Sequence, residues 1–144
     1  MSTITAAGYY QQAVSDGAGE PAFTRHDWVC DVRSAGDKVK IGRLAAGNRL
    51  DVANCELIAN GSQAAMNVDV CVDVDANTLF NDVALTAATF ARSASTAYQL
   101  GETLGVDYEK DRDIYLLINS GAATAPAGGK LTLKLAQYPV PKSS

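Results

Sequence analysis

Hydrophobic and polar residues alternate with a period of two along much of this chain. That period predicts strands, because successive side chains of an extended backbone point to opposite faces. Between Gly36 and Val52, Val39 and Ile41 alternate with Lys38 and Lys40, and Leu50 and Val52 with Arg49 and Asp51. The intervening Ala45-Ala46-Gly47-Asn48 suits a short connection in which Gly or Asn takes a positive φ, so the stretch reads as a β-hairpin. Upstream, Trp28, Cys30 and Val32 alternate with Val29, Asp31 and Arg33. Downstream, the apolar parity passes from Leu50 and Val52 to Cys55 and Leu57, as a bulge near Ala53 or Asn54 would cause. Asn60-Gly61-Ser62 is a turn signal, and Met66, Val68, Val70, Val72 and Val74 then alternate with Asn67, Asp69, Cys71, Asp73 and Asp75, predicting one strand to Asp75. Phe80 to Thr86 reads as a short helix or turn, Thr89-Phe90-Ala91 as a short strand, and Ser93 to Gly101 as a loop. Asp113 to Asn119 is a nearly continuous apolar run that suits a buried strand. After the Gly-, Ala- and Pro-rich Ser120 to Gly129, Lys130 to Tyr138 alternates leucines with Lys and Thr until Pro139 and Pro141 end the pairing.

Seven or eight strands at this spacing predict an all-β fold: a single-domain antiparallel β-sandwich of the jelly-roll kind, spanning 25–144. Residues 1–24 hold neither period for long. They are expected to be an extended N-terminal arm and connector that packs little on its own domain, either a frayed terminus or an arm whose Tyr9 and Tyr10 lie on a neighbouring subunit.

A length of 144 residues is enough for one core without staples. The formal charge of -4 argues against phosphate-led nucleic-acid binding, which needs a clustered basic surface. No apolar stretch is long enough to span a bilayer, and no basic-then-apolar leader opens the chain, so synthesis in a reducing cytoplasm and no membrane partner are expected. Cys30, Cys55 and Cys71 are odd in number and lack zinc spacing, so they read as reduced core or near-core residues.

The candidate chemistry is thin. The single histidine, His26, has no neighbouring nucleophile motif, and the better reading is a surface or interface histidine. Asp73-Val74-Asp75-Ala76-Asn77 begins like a calcium loop, but Thr78 stands where glycine is needed and Ala84 where a bidentate glutamate is needed. Gly42 to Gly47 has the glycine spacing of a phosphate loop, but Asn48-Arg49 follows in place of Lys-Ser or Lys-Thr. Trp28, Phe90, Tyr98, Tyr108, Tyr115 and Tyr138 are too scattered for a stacking platform. No catalytic set, metal site or cofactor is read from these residues, and the chain is expected not to be an enzyme.

Gly36 to Gly47, followed by Asp111 to Ile118 and Ala123 to Leu131, resembles the small proteins of tailed bacteriophages that decorate or cement the capsid. The similarity runs in order over about residues 27 to 138. It implies a β-sandwich on the outer surface of the virion, made in the host cytoplasm. It also implies self-association as a dimer or trimer and stabilisation of the shell by bridging subunits of the major capsid protein. Contacts are then expected at Tyr9, Tyr10, Arg25, His26, Trp28, Arg43, Asn48 and Arg49. The rival expectation is a carbohydrate- or receptor-binding β module of a phage tail fibre or tailspike.

Overall fold

The computed structural model describes residues 2–10, 22–31, 33–51, 54–60, 66–85, 88–92, 110–120 and 129–139. Among them the strands are β1 (Thr3–Thr5), β2 (Ala22–Val29), β3 (Lys38–Leu44), β4 (Asn48–Leu50), β5 (Glu56–Asn60), β6 (Asn67–Val72), β7 (Val74–Ala84), β8 (Ala88–Arg92), β9 (Arg112–Ser120) and β10 (Lys130–Pro139). A short 3-10 turn occupies Ala7–Tyr10. The strands form two sheets, in the orders β1-β3-β9-β6-β7 and β2-β10-β5-β8, with β4 also on β10. All pairs are antiparallel except β1 with β3. This is the all-β antiparallel sandwich that the alternation predicts.

Four pairs nest along the chain: β6 with β7 innermost, then β5 with β8, β3 with β9, and β2 with β10 outermost. Successive pairs fall in alternate sheets, so each sheet turns one apolar face to the other. Val39, Ile41, Ile114, Leu116 and Ile118 from one sheet and Leu57, Leu131, Leu133 and Leu135 from the other are at most 1% exposed and belong to one core. Burying such a side chain contributes about 1.5–3 kcal/mol each relative to exposure, which makes this two-sided face the main stabilising term.

The expected hairpin at Gly36 to Val52 is corrected. Its arms enter different sheets, β3 beside β1 and β9, β4 beside β10. Alternation reports which side chains point inward and is silent about which strand lies alongside; Val39, Ile41 and Leu50 are all buried, but from opposite sides. The connection does contain the positive φ expected of it, 81° at Gly47. Within β3 the register slips between Lys40 and Gly42, which lets Ile41 and Leu44 both face inward.

The strand expected to run through Asp75 ends at Val72. Asp73 turns the chain with φ 67°, a conformation that aspartate tolerates better than a β-branched residue, and Val74 comes to lie opposite Val72. The helix or turn expected at Phe80 is instead the second half of β7, kinked where Asp82 has φ 49°. The parity change after Leu50 corresponds to a break on β10: Lys134 lies opposite Glu56, so Gln137, three residues on, would face residue 53 but pairs with Leu50.

Residues 2–10 do not behave as a segment that packs little on its own domain. Thr3–Thr5 pair in parallel with Lys38–Lys40, Lys38 N donates to Ser2 O and Ala6 N to Lys40 O, both at 2.8 Å, and Ile4 packs on the core. A three-residue strand is too short to show a period, yet it is long enough to cover the edge of β3. A boundary at 24/25 also falls inside β2. The expectations at 11–21, 61–62, 93–101 and 121–128 lie outside the described residues.

Candidate functional site

The turn Ala7–Tyr10 joins the two sheets through His26. The imidazole is fully buried, with Nδ1 2.6 Å from Gly8 O and Nε2 2.7 Å from Thr24 Oγ1. A carbonyl can only accept, so Nδ1 carries the hydrogen and Nε2 accepts from the Thr24 hydroxyl. Burial holds the ring's pKa below its ordinary value, outweighing the carbonyl contacts that favour the charged form. Gly8 is required by space: a Cβ there would stand 2.6 Å from Asp27 N and 2.9 Å from His26 Cα.

Beside this joint, Tyr9 OH donates to Asp113 Oδ1 at 2.5 Å, and Lys40 Nζ lies 3.2 Å from Asp113 Oδ2. The Arg43 guanidinium sits 5.2 Å from the centre of the Tyr9 ring, and Tyr10 meets that ring edge-on at 5.1 Å. Burial, then the Asp113 carboxylate, pushes the Tyr9 phenol up to about 12, so it stays protonated as a donor. Tyr10 extends outward and is 69% exposed.

The crossing between sheets at Ala45–Asn48 is pinned from below by two side chains that are 1% exposed, Arg112 and Gln137. Arg112 Nη2 donates to Ala45 O at 3.2 Å and to Asn48 O at 2.8 Å. Gln137 Oε1 accepts from Ala45 N at 3.1 Å and Asn48 Nδ2 at 3.0 Å, while its Nε2 donates to Arg43 O at 3.3 Å. Ala46 N donates to Asp111 Oδ1 at 2.8 Å, leaving the Ala46 side chain exposed. The result is a rigid, polar tip beside the Tyr9–Arg43 stack.

The outer face of the first sheet is a charge lattice. Lys38 Nζ lies 3.2 Å from Asp75 Oδ1 and 5.0 Å from the centre of the Tyr115 ring, and Tyr115 OH donates to Asp75. Asp69 Oδ1 accepts from Asp82 N at 2.6 Å and Asn119 Nδ2 at 2.8 Å. These aspartates are committed to protein donors, and among the described residues no three His, Cys, Asp or Glu side chains are grouped to hold a metal. The cysteines form no disulfide; burial pushes the Cys55 thiol up to about 11 and the Cys71 thiol up to about 12, so neither is a ready nucleophile.

Of the residues expected at a contact, Tyr9, Tyr10, Arg43, Asn48 and Arg49 are brought to the tip and its flank, and Arg25 stands exposed on β2, with its Nε 3.1 Å from Asp27 Oδ1. His26 and Trp28 are corrected: at 0% and 5% exposure they belong to the interior, where a side chain cannot meet a partner. Arg112 and Gln137 went unrecognised as site residues because a charged and a polar residue within strands ordinarily mark solvated faces. The signal available was the Asp-Arg-Asp run 111–113 at the start of the most apolar strand.

No protein-family model and no curated protein matches the chain. Among solved structures, a chain from the capsid of Ralstonia phage GP4 aligns over 97% of this chain and 99% of its own length, at a TM-score of 0.70 and 18% identity. A chain from the cyanophage Pam1 capsid asymmetric unit aligns over 90% and 94%, at 0.42 and 14%, too loosely to argue from. The first likeness is one of fold.

Proposed function

We propose that this chain is a structural protein of a phage virion, a jelly-roll domain that binds the outer surface of the capsid and stabilises it by bridging major capsid protein subunits. The likeness in fold to a chain of the phage GP4 capsid, over nearly the whole of both chains, carries this reading. The nested pairs support the jelly roll, since alternating them between two sheets is how two interlocked Greek keys wrap. The pinned tip supports the docking role. A loop whose backbone is already tied to Arg112, Gln137 and Asp111 loses little entropy on contact, so its polar groups add affinity at low cost. Binding the assembled lattice more tightly than free subunits stabilises that lattice by mass action, and many copies on one shell make modest contacts sufficient. Tyr10, Arg43, Asn48, Arg49 and the exposed Ala46 are the contact residues.

Co-sedimentation of the purified chain with empty shells that lack it tests this. Saturable binding and a higher temperature of shell rupture are expected. No binding to shells, with binding to glycans on an array instead, overturns it in favour of a carbohydrate- or receptor-binding module.

A further inference from the structure

Among the described residues, β2 is the last strand of its sheet and is paired on one side, to β10. Its inward residues His26 and Trp28 are buried, and Phe23, Arg25, Asp27 and Val29 line the other face. Phe23 is 65% exposed and Val29 69%, while the Arg25 and Asp27 side chains between them are 60% and 37% exposed. Edge strands of soluble proteins are ordinarily blunted by charge or covered. This one presents a large apolar side chain at each end, and the turn Ala7–Tyr10 does not cover them, since it packs where the His26 ring points.

The order apolar, cation, anion, apolar is its own complement read backwards. We infer that this strip of β2 is the contact surface for a second copy of the chain, the two β2 strands running antiparallel about a two-fold axis at His26. Phe23 then faces Val29 of the second copy and Arg25 faces its Asp27, and each pairing occurs twice because the contact is isologous. Other alignments lose this match. An axis at Arg25 or at Asp27 stacks that charge on itself and brings an apolar residue against the opposite charge, and a parallel alignment pairs Arg25 with Arg25. The Asp27 carboxylate is already oriented, with Thr132 Oγ1 2.6 Å from Oδ1 and Lys130 Nζ 3.3 Å from Oδ2. A strip holding one charge of each sign in mirror order matches itself, which is why the occupant is a second copy. This inference stands without shell binding.

Sedimentation velocity of the full chain at micromolar concentration tests it. The natural chain is expected to run as a dimer. Phe23→Lys and Val29→Glu are each expected to weaken association tenfold or more, since each change enters the contact twice. An equimolar mixture of the two is expected to restore a one-to-one dimer, because the introduced lysine of one then faces the introduced glutamate of the other. Arg25→Glu and Asp27→Lys, alone and mixed, repeat the logic should either apolar variant unfold. A monomeric natural chain, a dimer indifferent to these changes, or mixtures that stay monomeric would overturn the inference.

Discussion

Gly8 is the residue on which the junction of the two sheets turns. Its missing side chain lets the turn Ala7–Tyr10 lie directly on the His26–Asp27 peptide, and its carbonyl takes the His26 Nδ1 hydrogen. Gly8→Ala is therefore expected to destabilise the fold by about 1–3 kcal/mol, read from urea denaturation, because backbone has to shift to admit one methyl. His26 gives the same joint a pH dependence. Its pKa is held below the ordinary value in the native state, while the unfolded ring takes a proton at about pH 6.5. The unfolded state thus binds more protons, and stability is expected to fall as pH drops through about 6.5 towards the lower native value. Melting temperatures across that window are expected to show this slope in the natural chain and a flatter one in His26→Gln; equal slopes would separate the effect from His26.

At the scale of elements, faces were legible and neighbours were not. The inward sets at Val39 and Ile41, at Met66 to Val72 and at Leu131 to Leu135 are buried as the period predicts. The hairpin at Gly36 to Val52 failed because alternation carries no information about which strand supplies the hydrogen bonds, and the chain crosses sheets at the point that resembled a tight turn. Asp73 reads as one more polar position in a regular strand, but its φ of 67° ends that strand. The crossing itself depends on Arg112, which spans from β9 to the carbonyls of Ala45 and Asn48. Arg112→Leu removes those donors and leaves two carbonyls poorly satisfied, and a loss of about 1–3 kcal/mol is expected in chemical denaturation. Faster amide exchange at Ala45 and Ala46 than in the natural chain, with β3 and β4 unchanged, would locate the damage at the tip.

For the whole molecule, the fold supplies a rigid body with chemically distinct surfaces: a charge lattice outside the first sheet, an apolar and charged strip on β2, and a pinned tip between the sheets. In the proposed role, the tip approaches the shell. Ala46→Trp places bulk on an exposed side chain without touching the Arg112 and Gln137 contacts, so its melting temperature is expected to match that of the natural chain while shell occupancy falls at least tenfold. Unchanged occupancy in co-sedimentation would remove the tip from the contact.

Read alone, the sequence determined the all-β class, the inward face of the main strands and the presence of buried, reduced cysteines. Each of these follows from local periodicity and composition, which act between residues a few positions apart. Only the tertiary structure decided that Thr3–Thr5 covers the edge of β3, that His26 is an interior link, and that Arg112 and Gln137 hold a connection formed far from them in the chain. Those outcomes depend on which strands become neighbours. That choice is made by the burial of both sheets against one another, a property of the assembled core that no single segment contains.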